Sequence, residues 1–159
     1  MIAVALRAIL RHEEMAQLAS AQVNVVKGST EDIKHSFSDA EKYNFVDFIN
    51  QALHDDPDLK GVLPLDPETN AVFEASKDGV LLCKLINRCV PDTVDPRTLN
   101  TKAKKNVFEV NENQNLVINS ARAIGCQVVN IRSSDLIEAK PHLVLGLMWQ
   151  IIKVRYSLA

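Results

Sequence analysis

A chain of 159 residues, 47% hydrophobic and 24% charged with a formal net charge of -2, has a globular composition and exerts no global attraction on nucleic acid or anionic lipid. Any charged partner must be met by a local patch. A chain of this length buries roughly 70% of its unfolded surface, which is enough for one domain without metal or disulfide staples. The three cysteines, Cys83, Cys89 and Cys126, sit in apolar periodic segments and read as reduced thiols of a cytosolic core.

Residues 1–12 carry a short apolar stripe, Ile2, Leu6, Ile9 and Leu10, with Arg7 and Arg11 beside it. The stretch lacks a small-residue cleavage site and is not read as a signal peptide. So short an amphipathic helix needs a surface to lie on. Residues 19–37 are polar, hold no sustained period and read as a linker, so the expected division is a leader and linker over 1–34 and a domain over 35–159.

The first strong helix is expected to open at Ser38, where Ser38 and Glu41 form a capping-box pattern. Phe45, Phe48, Ile49, Ala52 and Leu53 then mark a buried face, and Tyr43, Asn44, Asp47, Asn50, Gln51 and His54 fall on the other. That second face is either simply solvated or a partner contact. Residues 55–70 are rich in Asp and Pro and form a loop. Asp56, Asp58 and Gly61 imitate the start of a calcium loop, but its twelfth position would be Pro67 where a bidentate glutamate is needed, so no metal is assigned. A helix over 77–89 follows with the stripe Leu81, Leu82, Leu85, Ile86 and Cys89, stopped by Pro91.

Residues 92–110 read as irregular and carry Lys102, Lys104 and Lys105, either a solvated loop or a contact for an acidic partner. The next helix is expected from an Asn111 cap with Gln114 at the box position, burying Leu116, Val117, Ser120, Ala123 and Ile124 and ending at a left-handed Gly125. A turn of helix at 134–138 leads into Pro141–Tyr156, which is apolar on almost every side and yet, with Gln150, Lys153 and Arg155, too interrupted to span a bilayer. It reads as the core helix around which the others wrap, with Trp149 as its largest buried block. Its polar end is Gln150, Lys153 and Tyr156.

Chemistry is sparse. There is no Gly-rich phosphate loop and no nucleophile elbow, and His12, His35, His54 and His142 are scattered. Nothing fills the roles of a catalytic constellation, so the chain is not read as an enzyme and no cofactor is assigned.

KDGVLLCKLIN (77–87), NENQNLVINSARAIGC (111–126) and HLVLGLMWQIIK (142–153) resemble the three principal motifs of a calponin-homology (CH) domain. VPDTVDPRTLN (90–100) and HSFSDAEKYNFVDFIN (35–50) are most similar to the first CH domain of the fimbrin/plastin actin-bundling family. The resemblance implies an all-α fold, four main helices around a buried C-terminal helix with short connecting helices and long loops, and F-actin binding in the cytoplasmic actin cytoskeleton without catalysis. In that family further CH domains and a calcium-binding EF-hand headpiece accompany this one, and residues 1–12 are similar to the helix between headpiece and domain.

Carried over residue by residue, the family's actin contacts fall on Tyr43, Asn44, Asp47, Asn50 and Gln51 of the first helix and on Gln150, Lys153, Val154 and Tyr156 of the last. Lys102, Lys104 and Lys105 are a third candidate contact. Actin's outer surface is acidic, so lysines would steer the encounter while Val154 and Tyr156 supply desolvated contact. Bundling needs two actin-binding units, so a lone CH domain is not expected to bundle. Two alternatives stay open: an adaptor for microtubule or signalling partners, and a phosphoinositide-regulated module using the same lysines.

Overall fold

The structure, a computed structural model, describes the backbone of residues 30–158 and the side chains of 39–158; the leader pattern at 1–12 and the linker before Thr30 lie outside the described residues. Every regular element among them is helical: α1 (Thr30–Ala52), α2 (Ala71–Ser76), α3 (Val80–Cys89), α4 (Val107–Ala123), α5 (Ser133–Ile137) and α6 (Pro141–Ser157), with 3-10 turns at Pro57–Leu59 and Pro96–Thr98. The all-α expectation holds. The four longest of these helices are the four expected ones.

Helix α1 begins at Thr30, eight residues before the expected Ser38 cap. Residues 30–37 hold no Gly or Pro to stop a helix, so it runs through the capping-box pattern and residues 30–34 fall in α1, outside the expected linker. Its inward face is Phe45, Val46, Ile49 and Ala52. The helix expected over 77–89 starts three residues later, as α3 at Val80, and a short helix that was not expected, α2, precedes it, with Lys77-Asp78-Gly79 between the two. Gly79 has φ 81, a left-handed conformation that an α-helix cannot pass through. The expected stripe of α3 is buried as read, and Val80 and Cys83 join it.

Helix α4 also starts earlier than its Asn111 reading. Asn106 is the cap: its side chain accepts from the Glu109 N–H while Glu109 accepts from the Asn106 N–H, a complete capping box. Two overlapping box patterns compete here, and the upstream one with a carboxylate wins. Ala123 is exposed, while Asn113 and Gln114, two polar residues, are fully buried in its place. Gly125 at φ 99 ends the helix as expected.

Helix α6 runs within one residue of its expected span with Pro141 in the first turn, and buries Val144, Leu145, Leu147, Met148, Ile151 and Ile152. It packs on α1, α2, α3 and α5, and α3 packs in turn on α4. The last helix is therefore central, and α3, almost as fully buried, shares the centre. Trp149 is only partly buried and stacks on Phe45 at 6.4 Å between ring centroids, so it borders the core and is not its largest buried block.

The long loops are held by side-chain amides, each meeting one loop residue through both its N–H and its C=O. Asn50 clamps Leu65 (2.9 and 2.7 Å), Asn87 clamps Val94 (2.9 and 2.7 Å) and Asn113 clamps Asn100 (2.9 and 2.9 Å). Gln150 of α6 clamps Gln127 in the same way, at 2.6 and 3.0 Å. Each clamp satisfies one backbone donor and one acceptor of a loop; the three asparagine clamps are partly buried and the Gln150–Gln127 pair is exposed.

Candidate functional site

Two of the three candidate regions lie on neighbouring helices. Phe45 of α1 stacks on Trp149 of α6, Lys153 lies over the same indole at 6.0 Å, and the Arg155 guanidinium sits 5.8 Å from the Phe48 ring. The apolar faces of α1 and α6 meet through these rings, so the polar outer face of α1 is held beside the basic end of α6.

On α1, Tyr43 is half exposed and Asp47 and Gln51 are exposed, the two linked by a Gln51–Asp47 hydrogen bond of 3.0 Å. Asn44 is partly buried at the edge of this face. Asn50 belongs to the loop clamp on Leu65, and both ends of its amide are spent there. On α6, Lys153 is exposed, Val154 and Tyr156 are partly buried against the core, and Gln150 is engaged with Gln127. Burial pushes the Tyr156 hydroxyl above its ordinary pKa, so at neutral pH it is a neutral donor at the rim of the core.

The lysine loop is less basic than its sequence reads. Lys105 is partly buried, with its side chain 8% exposed, and donates to Asp78 at 2.9 Å, fixing the loop to the α2–α3 turn. Lys102 pairs with Glu109, whose carboxyl it holds below the usual range together with the Asn106 N–H. Among the described residues no ion pair forms at Lys104, which is exposed. Sequence distance misled here: Asp78 is 27 residues away and reaches the loop only through the turn at Gly79.

Two exposed residues escaped the sequence reading. Val107 is 79% and Phe108 81% exposed on the first turn of α4, directly after Lys104 and Lys105. A helix start placed at Asn111 hid both inside a loop. The Asp-rich loop is likewise engaged: Lys84 meets Asp58 at 2.6 Å and Asp56 at 3.4 Å. Burial pulls the Lys84 ammonium down, but the hydrogen bond to Asp58 and the paired charges outweigh it and its pKa is raised. Among the described residues no group of His, Cys, Asp or Glu is placed to hold a metal ion.

A family model of the calponin homology (CH) domain matches residues 39–157. Plastin-1 of Gallus gallus is 58% identical over 126 residues, 79% of this chain and 20% of that protein. Fimbrin-4 of Arabidopsis thaliana is 54% identical over 130 residues, 82% of this chain and 20% of that protein. The chain thus spans about a fifth of the length of the curated relatives it matches. The crystal structure of the actin-crosslinking core of Schizosaccharomyces pombe fimbrin superposes with a TM-score of 0.70 at 45% identity, covering 72% of this chain and 25% of that one.

Proposed function

The chain belongs to the calponin-homology family, and from that premise we propose that it is an F-actin-binding domain of a fimbrin/plastin-type cross-linker. The observation that carries this reading is the Phe45–Trp149 stack with Lys153 above it, which joins the outer face of α1 to the basic end of α6 as one surface. Tyr43, Asp47, Gln51 and Lys153 are its outward groups, with Asn44, Val154 and Tyr156 at its edge. Asn50, Gln150 and Lys105 act indirectly, by holding loops. Lys104, Val107 and Phe108 form a separate contact of one cation and two apolar side chains, chemistry that suits an acidic surface with an apolar pocket.

Binding of this kind is non-catalytic and places the chain on actin filaments in the cytoplasm. A single actin-binding unit decorates filaments without bundling them, so bundling belongs to a longer protein with a second unit. The EF-hand headpiece and further CH domains are the family's partners for such a unit. A phosphoinositide reading has less support, because Lys102 and Lys105 already have carboxylate partners. The adaptor reading has no specific residue in its favour.

High-speed co-sedimentation with F-actin at low and physiological salt tests the proposal, comparing the chain with the double variant Phe108→Ser/Lys153→Glu. Both side chains are exposed, so the variant keeps its helical circular dichroism. Saturable binding that the variant loses supports the reading. Binding to microtubules and not to F-actin overturns it.

A further inference from the structure

The first turn of α4 presents an apolar knob, Val107 and Phe108, with the exposed Lys104 just before it. The neighbouring lysines are neutralised, Lys102 by Glu109 and Lys105 by Asp78, so Lys104 is the cation left to the knob. Helix α1 and the turn at 66–68 form a groove of about 460 Å³ whose walls include Asp39, Lys42, Tyr43, Pro67 and Glu68. A volume within the roughly 300–1,000 Å³ of small-ligand pockets admits a phenyl ring with room for Val107 beside it. Tyr43 and Pro67 give the groove an apolar side. Lys42 pairs with Asp39 at 4.0 Å, so the exposed Glu68 is the carboxylate left at its mouth.

We propose that this groove receives the knob of a second copy of this chain. Shape and charge match together: Val107 and the Phe108 ring meet Tyr43 and Pro67, and Lys104 meets Glu68. Within one copy the two do not meet, since Phe108 stays exposed and both regions are anchored. Lys105 ties the start of α4 to the α2–α3 turn through Asp78, and Asn50 of α1 ties down the loop at Leu65. The contact joins unlike surfaces, so each pairing leaves one groove and one knob free and the arrangement repeats head to tail. Two apolar side chains and one ion pair fall well short of the roughly 1,000 Å² that a stable interface buries, so the association is weak, with a dissociation constant of about 0.1–1 mM. It goes beyond the actin reading and does not rest on it.

Sedimentation equilibrium of the full chain, from about 0.05 to 2 mM, tests the contact. The weight-average mass of the native chain should rise with concentration. Two variants separate the surfaces: Lys104→Glu/Phe108→Ser removes the knob, and Tyr43→Ser/Glu68→Lys removes the groove while leaving Asp39 beside Lys42. All four side chains are exposed, so both variants keep their helical circular dichroism. Each variant alone should stay monomeric. Their equimolar mixture should associate as far as the dimer and no further, because one copy brings an intact groove and the other an intact knob. With the knob variant isotope-labelled, the amide signals of Tyr43 and Glu68 should shift in that mixture while those of Lys153 and Ser157 stay in place. A native chain that remains monomeric throughout overturns the proposal, and so does a mixture that fails to associate. Self-association retained by either variant, or shifts at Lys153 and Ser157 in place of Tyr43 and Glu68, puts the contact on other surfaces and also overturns it. Actin is absent from every sample, so failure of filament binding is scored separately.

Discussion

Gly79 and Asn113 touch with no room between them: a Cβ built on Gly79 would lie 2.7 Å from the Asn113 Cβ and 2.9 Å from the Asn113 carbonyl carbon. Gly79 also holds φ 81, where an L side chain is strained. Gly79→Ala therefore combines a left-handed penalty of about 1–2 kcal/mol with overpacking of about 1–3 kcal/mol. Urea unfolding should show a loss of about 2–5 kcal/mol for this one methyl group. Gly125→Ala is the control, since it shares the positive φ (99) but meets nothing within 4 Å, and should cost only the backbone part, about 1–2 kcal/mol.

The partner of that contact makes the denser network. Asn113 donates to the Asp78 and Asn100 carbonyls and accepts from the Asn100 N–H, all at 2.9 Å. Asn113→Ala leaves three backbone groups without partners in a site that is fully buried at the side chain, and should cost about 2–4 kcal/mol. Amide exchange at Asn100 should accelerate beyond what the global loss explains, because its donor is the one released. Asn50→Ala breaks a shallower clamp and should cost about 1–2 kcal/mol.

These clamps mark where the sequence could and could not be read. The buried stripe of α3 followed from periodicity and the burial of α6 from its being apolar on almost every side, with Pro91 and Pro141 setting boundaries. Asn113, Gln114 and Lys105 were illegible because their partners lie far along the chain: Asp78 for Lys105, Ser76 and Lys77 for Gln114. No local pattern announces a buried amide. Within the candidate site, Tyr43, Asp47, Gln51 and Lys153 were assigned to the surface correctly, while Asn50 and Gln150 look equally polar on paper and differ only in having a loop backbone within reach. Phe108 was missed because its exposure depends on where α4 begins, and two capping patterns five residues apart gave the sequence two answers.

The cap of α4 should be sensitive to acid. Glu109 accepts from Lys102 and from the Asn106 N–H, and both hold its folded pKa below the ordinary value. A depressed carboxyl contributes stability above its unfolded pKa and loses it as pH falls through the folded one. Protection of the Asn106 amide, taken relative to its intrinsic exchange rate at each pH, should therefore fall on acidification below the ordinary glutamate range, and Glu109→Gln should flatten that dependence. Because Lys102, the partner of this carboxylate, is largely exposed and screened by solvent, the effect belongs to the first turn and leaves the global unfolding midpoint nearly unchanged.

The separation of surface residues from loop-holding ones gives the sharpest functional prediction. Lys153 is exposed, with its ammonium over Trp149, so Lys153→Glu reverses a charge on the α1–α6 surface at little cost in stability. Its effect on F-actin affinity should grow at low salt and shrink as screening increases, since rim charges act over a Debye length. Phe108→Ala removes an apolar side chain that is 81% exposed and so has little folding role; if it anchors in a pocket on the filament it should weaken binding about 5–30-fold and independently of salt. Gln150→Ala should behave in the opposite sense, releasing the Gln127 backbone and lowering stability by about 1–2 kcal/mol while leaving affinity within about twofold below the unfolding temperature. Co-sedimentation across a salt series, paired with thermal unfolding of the same three variants, reads both axes. Binding lost in Gln150→Ala and kept in Phe108→Ala and Lys153→Glu would move the filament contact off the exposed residues and onto the Gln127 loop, because only that loop changes in the first variant.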